Sequence, residues 1–218
     1  MKFDRSMLLL YAITDRAWTG NETLEDQVEK ALKGGATMIQ LREKKRDEMG
    51  SEYEAEAVVI RDLCRKYEVP FIINDDVELA AKIDADGVHL GQSDMSPAKA
   101  RLILGSDKII GVTAKTVQQA QVAKDAGADY VGSGAVFGSA TKKDTSKLDH
   151  SVLDDIGREV GIPVVAIGGI TGENMFDLKG RKIDGFAVVS AIFGADDIEG
   201  ETVLLRKQAE EILGLKKG

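Results

Sequence analysis

The sequence predicts a single (β/α)8 TIM barrel of the α/β class, folded as one domain over residues 1–218. Two patterns carry this prediction. Short apolar runs alternate with longer helical segments along the chain, and eight such runs occur. The runs are continuous rather than alternately polar, which is typical of parallel strands buried on both faces. Repeated strand–helix order favours a parallel sheet, and eight repeats in this length favour its closure into a barrel.

The individual elements follow in chain order. The predicted strands lie near residues 8–14, 38–41, 71–73, 87–90, 109–112, 130–133, 163–167 and 186–189. Helices are indicated where a capping residue precedes a segment with helical spacing of apolar residues. These helix starts are Ser51 with Glu54, Ser96 before Pro97, and Thr116 with Gln119. The last segment, near residues 198–213, has the pattern of an amphipathic helix.

The composition excludes several classes of protein. Hydrophobic residues make up 43%, which is enough for a core. Lys and Arg number 29 against 37 Asp and Glu, without a sustained basic stripe, so nucleic acid is a poor candidate partner. No apolar run approaches the roughly 20 residues of a membrane helix, and no signal pattern occurs, so we expect a cytoplasmic protein without a membrane partner. The lone Cys64 fits a small buried apolar residue, and a homo-oligomer is left open.

Polar residues cluster where the predicted strands end, and barrel enzymes build their active sites on that face. One cluster follows the second strand, and others follow the third, fourth, sixth, seventh and eighth. The sequence therefore predicts an active site at the C-terminal ends of the strands. Residues 134–150 form a long segment without apolar periodicity, which is typical of a functional lid or of disorder.

Asp75 and Asp94 follow neighbouring strands and are candidate ligands for a divalent cation. Mg²⁺ prefers a few carboxylate oxygens, retained waters and the phosphate oxygens of a substrate. The alternative is that Asp75 or Asp76 caps the helix that begins near Val77. The residues alone leave both interpretations open.

Candidate phosphate-binding groups occur at several strand ends. Arg42, Lys44 and Lys142 can converge on a phosphate, although each also fits a solvated rim. Gly169, in a Gly-Gly pair before a helix, fits either a backbone anion site or a tight turn. Ser190 precedes a short helical turn in the place where many barrels bind phosphate.

Two observations limit the chemistry. His89 lies within an apolar strand, which favours a structural, hydrogen-bonded histidine over a catalytic one. No Ser/His/Asp or Cys/His set occurs at the strand ends, so covalent nucleophilic catalysis has little support.

Six stretches together resemble the thiamine phosphate synthase family, in the family's order and over nearly the whole chain. They are Tyr11-Ala-Ile-Thr-Asp15, Gln40-Leu-Arg-Glu-Lys44, Ile73-Asn-Asp-Asp76, Asp86-Gly-Val-His-Leu-Gly-Gln-Ser-Asp94, Thr141-Lys-Lys-Asp144 and Ala166-Ile-Gly-Gly-Ile-Thr171. The resemblance implies two small-molecule substrates, 4-amino-5-hydroxymethyl-2-methylpyrimidine diphosphate and a thiazole phosphate, carboxylated or not. The products are thiamine phosphate and pyrophosphate.

The resemblance also assigns roles to residues. It implies that Asp75 and Asp94 bind Mg²⁺, the expected cofactor, beside the diphosphate. Catalytic charge stabilisation falls to Arg42, Lys44 and Lys142. The residues that match contacts to the pyrimidine diphosphate are Gln40, Arg42, Lys44, Asn74, Thr113 and Lys142, and Glu43 is included with them among the substrate-binding residues. Those that match the thiazole phosphate site are Ser139, Thr141, Gly169, Val189 and Ser190.

The implied mechanism is dissociative. Diphosphate leaves first, and the thiazole nitrogen then attacks the pyrimidine methyl cation. Such a step needs charge stabilisation on the leaving group more than a general base. Closure of residues 134–150 would exclude water from the cation.

The chain departs from the family pattern in two stretches. In residues 111–116, Thr113 stands where the family usually has serine and keeps the hydroxyl, and Lys115 stands where it usually has histidine. In residues 134–141, Ala135 and Gly138 replace two usual prolines. Two other functions are weighed against the synthase. A thiazole tautomerase of the same family typically lacks the aspartates and has the histidine. A non-catalytic phosphate-binding regulator would not require both the carboxylates and the cations.

Overall fold

Eight parallel strands close into a barrel, which confirms the predicted (β/α)8 architecture. The computed structural model describes residues 2–44, 46–138 and 148–215, with residues 46 and 47 as backbone alone. The strands are β1 (Leu10–Ile13), β2 (Met38–Leu41), β3 (Phe71–Asn74), β4 (Gly87–Leu90), β5 (Ile109–Thr113), β6 (Tyr130–Gly134), β7 (Val164–Ile167) and β8 (Gly185–Val188). Each pairs in parallel with the next, and β8 pairs with β1 to complete the ring.

Helices connect successive strands and surround the barrel. The described α-helices are α1 (Leu24–Lys33), α2 (Arg46–Met49), α3 (Ser51–Lys66), α4 (Val77–Lys82), α5 (Pro97–Leu104), α6 (Val117–Asp125), α7 (Ser151–Asp155), α8 (Ser190–Phe193) and α9 (Ile198–Ile212). In the same part of the chain, 3-10 turns occur at Arg5–Leu8, Arg16–Trp18 and Met175–Leu178, and a turn of π-helix at Ile156–Val160. None of the described helices is both long enough and apolar enough to cross a membrane.

Predicted and observed strand bounds agree closely, except at the first strand. β1 begins at Leu10 instead of residue 8, because Arg5–Leu8 forms a 3-10 turn. The Asp4 carboxylate caps that turn by accepting the backbone N–H of Ser6 at 2.9 Å. The first residues of the apolar run thus form part of a 3-10 turn, and the rest form β1.

The predicted helix starts are confirmed at Ser96 and Thr116, but the prediction that Ser51 is a capping residue is wrong. Ser96 caps α5, and Thr116 caps α6 by accepting the N–H of Gln119. Ser51 is already the first residue of α3 and makes no side-chain cap. The reason is Gly50, whose φ of 55° joins α2 directly to α3.

The core has two layers, one inside the barrel and one between the barrel and the helices. Tyr11 and Tyr130 are among the large side chains that fill the interior. Gly111 makes room for Tyr130, because a Cβ there would lie 2.1 Å from the Tyr130 ring. Cys64 is fully buried in the outer layer, as predicted, and burial raises the pKa of its thiol. The barrel is therefore packed solid below its C-terminal mouth.

Asp154 in α7 ties the helix layer to the loop before β8. Its carboxylate accepts the N–H of Lys182 at 2.8 Å and Nη1 of Arg181 at 2.9 Å. Burial alone would raise the pKa of Asp154, but these two donors outweigh it and hold the pKa below its usual value.

We expect Asp154→Asn to lower the free energy of unfolding by about 1–2 kcal/mol at pH 7. Because the folded-state pKa of Asp154 is depressed, this stabilisation is fully present above the unfolded pKa of about 3.9 and is lost as the pH falls through the folded pKa. Urea unfolding at pH 7 and at lower pH measures it. The exposed Asp177→Asn serves as control. If Asp154→Asn lowered the free energy of unfolding by the same amount below pH ~3 as at pH 7, the prediction would be contradicted.

Candidate active site

The strand ends bring several predicted residues to the inward side of the barrel mouth. Side chains two residues apart on a strand point to the same face. Gln40 therefore continues the inward column of Met38, and Asn74 continues that of Ile72, both interior residues. By the same alternation Thr113 follows Ile109, and Val189 packs directly against the interior cluster.

A hydrogen-bonded chain forms the floor of the mouth. Nε2 of Gln40 donates to the Tyr11 hydroxyl at 2.5 Å, and the Tyr130 hydroxyl donates to the same oxygen at 3.0 Å. His89 continues the chain, with Nδ1 at 3.1 Å from the Tyr130 hydroxyl and Nε2 at 3.1 Å from Oγ1 of Thr113. His89 is thus hydrogen-bonded, in agreement with the structural interpretation of this residue.

Tyr130 gives its only hydroxyl proton to Tyr11, so Nδ1 of His89 is the donor to Tyr130. In a neutral imidazole, Nε2 of His89 then accepts from Thr113. Burial raises the pKa of both phenols, which therefore stay protonated at neutral pH. Neither Tyr11 nor Tyr130 was predicted as a site residue, although the inward alternation of β1 and β6 could have indicated them.

Arg42 and Lys44 meet at one carboxylate, that of Asp15. Oδ2 of Asp15 lies 3.0 Å from Nζ of Lys44 and 3.3 Å from Nη1 of Arg42. Burial opposes ionisation of Asp15, but the N–H of Ala17, Lys44 and Arg42 outweigh it and lower its pKa. Arg42 and Lys44 therefore meet at an ionised carboxylate, and their convergence with Lys142 on a phosphate stays a prediction.

Glu43 lies between Arg42 and Lys44 in the sequence, but its carboxylate contacts a different cation, Arg16. Its carboxylate lies 2.6 Å from Nε of Arg16, and Nη2 of Arg16 lies 2.6 Å from Glu56. This ion-paired triad connects the turn after β1 to the end of β2 and to α3. A substrate-binding role for Glu43 stays a prediction.

Asp75 and Asp94 follow two strands that pair directly, since Asn74 is in register with His89. The N–H of Asp75 donates to the His89 carbonyl at 2.9 Å, and Nδ2 of Asn74 donates to Oδ2 of Asp75 at 2.6 Å. This placement needs a φ of 64° at Asp75, a conformation that aspartate tolerates better than most residues. The chain thus turns sharply to present this carboxylate beside β4.

The Asp94 carboxylate folds back onto the end of β4. Its Oδ2 accepts the N–H of Gly91 at 2.7 Å, and a Cβ at Gly91 would lie 2.7 Å from the same oxygen. Asp76 instead caps α4, accepting the N–H of Leu79 at 2.9 Å, so the capping interpretation holds for Asp76.

The chemistry of the two remaining carboxylates fits a magnesium ion. Among the described residues no group of three or more Asp, Glu, His or Cys side chains forms a closed metal site. Two carboxylates on adjacent strand ends suit Mg²⁺, which completes its shell with water and phosphate oxygens. Binding of such an ion by Asp75 and Asp94 stays a prediction.

Opposite β3, the mouth is formed by the turn at Gly168 and Gly169, called the glycine turn, and by the short helix α8. Gly168 and Gly169 have φ of 102° and 70°, and the N–H of Phe137 donates to the Gly168 carbonyl. A Cβ at Gly169 would lie 2.4 Å from the Gly138 carbonyl oxygen. Ser190 begins α8 directly after β8. The turns after β6 and β7 are therefore in close backbone contact.

The predicted residues Ser139, Thr141 and Lys142 lie outside the described residues, as does most of the predicted lid. The flanks of that segment are tied to one another. The N–H of Leu148 donates to the Ala135 carbonyl at 2.7 Å, and Nε2 of His150 lies 3.0 Å from the Val136 carbonyl.

We expect Gly169→Ala to lower the free energy of unfolding by roughly 1–3 kcal/mol, because alanine at positive φ is strained and its Cβ would meet the Gly138 carbonyl. Gly180→Ala is the matched control. Gly180 has a φ of 82°, but a Cβ added there would meet no atom within 4 Å, so this variant isolates the backbone strain. Thermal unfolding of both variants measures the difference, and equal losses would show that the close contact at Gly169 contributes nothing.

A TIM barrel whose mouth joins paired cations, paired carboxylates and a glycine turn belongs to the class of enzymes that act on phosphorylated substrates. Comparison with known proteins narrows this class. The family model described as thiamine monophosphate synthase matches residues 10–192. The chain is 42% identical over 203 residues to thiamine-phosphate synthase of Clostridium botulinum, covering 93% of this chain and 94% of the relative.

Two further comparisons agree. The chain is 46% identical over 190 residues to thiamine-phosphate synthase of Ruminiclostridium cellulolyticum, covering 87% and 90% of the two chains. The solved structure of thiamine phosphate pyrophosphorylase from Pyrococcus furiosus has a TM-score of 0.86 and 40% identity, over 96% of this chain and 99% of that one. The chain belongs to the thiamine monophosphate synthase family, and it is a transferase of thiamine biosynthesis.

Proposed function

We propose that this protein condenses 4-amino-5-hydroxymethyl-2-methylpyrimidine diphosphate with a thiazole phosphate, giving thiamine phosphate and pyrophosphate. One observation carries the proposal within this family. The cations and carboxylates follow β2, β3 and β4, whereas the glycine turn and Ser190 follow β7 and β8. In a ring of eight strands, β3 and β7 are opposite each other. Two anionic groups can therefore be bound on opposite sides of one central floor.

The floor suits an aminopyrimidine ring. Gln40 uses its Nε2 to donate to Tyr11, which leaves its Oε1 as an acceptor for the amino group of the pyrimidine. Thr113 is oriented by His89. Because the phenols and the histidine are already hydrogen-bonded to one another, the floor can bind the ring without rearranging its own polar groups.

The diphosphate side provides charge stabilisation. Arg42 and Lys44 would bind the diphosphate oxygens and stabilise the charge that develops there as the bond to the pyrimidine methyl carbon breaks. Asp75 and Asp94 would hold magnesium, which when bound neutralises part of the leaving-group charge. Lys142 would add a third cation.

The opposite side positions the second substrate. The N–H groups around Gly169 and the start of α8 at Ser190 would bind the phosphate of the thiazole. The thiazole nitrogen would then attack the pyrimidine methyl cation from the side opposite the departing diphosphate. No proton needs to be removed in this step, which agrees with His89 being engaged by Tyr130 and Thr113.

The experiment is direct synthesis with purified protein. The pyrimidine diphosphate and the thiazole phosphate are incubated with and without MgCl2, and thiamine phosphate is measured as fluorescent thiochrome. We expect product only with magnesium. Absence of product from folded protein would reject the proposal, and conversion of a thiazole isomer under the same conditions would favour the tautomerase. The cytoplasmic location stays a prediction.

A further inference from the structure

Two cations that follow β2, Arg42 and Lys44, share one acidic side chain that follows a different strand. Asp15 follows β1, and its side chain is 6% exposed, whereas Lys44 is 49% exposed and Arg42 17%. Oδ2 of Asp15 is the atom that both cations contact. A nearly buried, ionised carboxylate is thus aimed at the two cations that would bind the diphosphate.

The backbone fixes the position of this carboxylate. Oδ1 of Asp15 accepts the N–H of Ala17 at 3.1 Å and so caps the 3-10 turn Arg16–Trp18. The preceding Thr14 is fully buried, and its hydroxyl accepts the N–H of Arg42 at 3.0 Å. The end of β1 therefore holds the Arg42 backbone through Thr14 and the Arg42 side chain through Asp15.

Both cations keep donors for a ligand. Arg42 uses Nη1 toward Asp15, and a guanidinium has five N–H donors. Lys44 uses one of three N–H donors. A flexible, half-exposed lysine otherwise loses side-chain entropy when it binds an anion. An existing bond to Asp15 means that part of this ordering is already complete.

We propose that Asp15 is a positioning residue for the diphosphate clamp formed by Arg42 and Lys44. It orders both cations before substrate binds and lowers the mutual repulsion between them. The inference rests on the proposed function, because it assigns these cations to the leaving diphosphate. Asp15 itself does not contact the reacting atoms.

The substitution Asp15→Asn separates charge from capping. Asparagine keeps an oxygen for the N–H of Ala17, but it removes the charge that binds Arg42 and Lys44. Asp4→Asn is the matched control, because Asp4 also caps a 3-10 turn, Arg5–Leu8, at the opposite end of the barrel.

Turnover provides the first test. We expect Asp15→Asn to lower kcat by roughly 10- to 100-fold, because donors that are no longer ordered stabilise the leaving group poorly. The KM for the thiazole phosphate should be unchanged, because that site lies on the other side of the mouth. Asp4→Asn should keep wild-type kinetics. An unchanged kcat in Asp15→Asn would overturn the proposal. So would an equal loss of kcat/KM for both substrates together with a lower melting temperature, because that pattern indicates general destabilisation.

Calorimetric titration with inorganic pyrophosphate and MgCl2 provides a test that does not depend on activity. Removing the negative charge of Asp15 favours binding of the anion, whereas losing the ordered positions of Arg42 and Lys44 opposes it. The Kd for pyrophosphate should therefore stay within about threefold of wild type. The entropy of binding should become more unfavourable, because Lys44 must now be ordered during binding. An unchanged entropy would contradict preorganisation by Asp15. If wild-type protein binds pyrophosphate but makes no thiamine phosphate, the proposed function fails, and the entropy comparison still tests the clamp.

Discussion

Asp94→Asn should lower kcat by about a thousandfold at millimolar MgCl2. The asparagine oxygen can still accept the N–H of Gly91, so the turn after β4 is kept. The change removes one of the two carboxylate charges that fit magnesium, and the leaving diphosphate then lacks most of its neutralisation. Initial rates over a series of MgCl2 concentrations measure the effect.

Asp76→Asn is the control for this variant. Asp76 follows Asp75 directly, but its Oδ1 accepts the N–H of Leu79, and asparagine caps helices as well as aspartate does. We expect its kcat to stay close to that of wild type. Equal losses in Asp76→Asn and Asp94→Asn would show that the assignment of the metal ligands is wrong.

Arg42→Lys should lower kcat/KM for the pyrimidine diphosphate by about a hundredfold. Lysine keeps the charge, but it cannot contact Asp15 and two phosphate oxygens in the fixed planar geometry of a guanidinium. The kinetic constants for each substrate, measured with the other at saturation, test this. The KM for the thiazole phosphate should change little.

Arg61→Lys is the matched control for Arg42→Lys. Arg61 is also largely buried, at 16% exposed, and donates through Nε and Nη2 to Asp62 on the outer helix layer. The Arg61→Lys variant should have a lower free energy of unfolding but an unchanged kcat/KM. A loss of kcat/KM in Arg61→Lys equal to that in Arg42→Lys would mean that general destabilisation, and not the clamp, explains both.

The barrel itself was predictable because strands that are buried on both faces appear in the sequence as short, continuous apolar runs. The two-residue alternation along each strand also explains why Gln40, Asn74 and Thr113 share the inward face. Ser51 was assigned wrongly because a capping motif describes only local chemistry, and the positive φ of Gly50 decides where α3 begins.

Contacts between distant side chains were harder to predict. Asp15 lies 27 residues from Arg42 along the chain, and only the pairing of β1 with β2 brings them together. Glu43 shows the converse, because its neighbours in sequence suggest a phosphate contact while the fold pairs it with Arg16. Spacing along one strand predicts which side a residue faces, but it does not predict which partner from another strand it meets.

Trp18 ends the 3-10 turn that Asp15 caps, and it is the only tryptophan of the chain. Its indole lies against the backbone at Gly194, where an added Cβ would be 3.0 Å from the ring. It therefore spans the seam at which the first and last strands of the ring meet. Trp18 is 40% exposed, so its emission wavelength is sensitive to opening of that seam. The protein thus has an intrinsic optical probe at the place where its ring is closed.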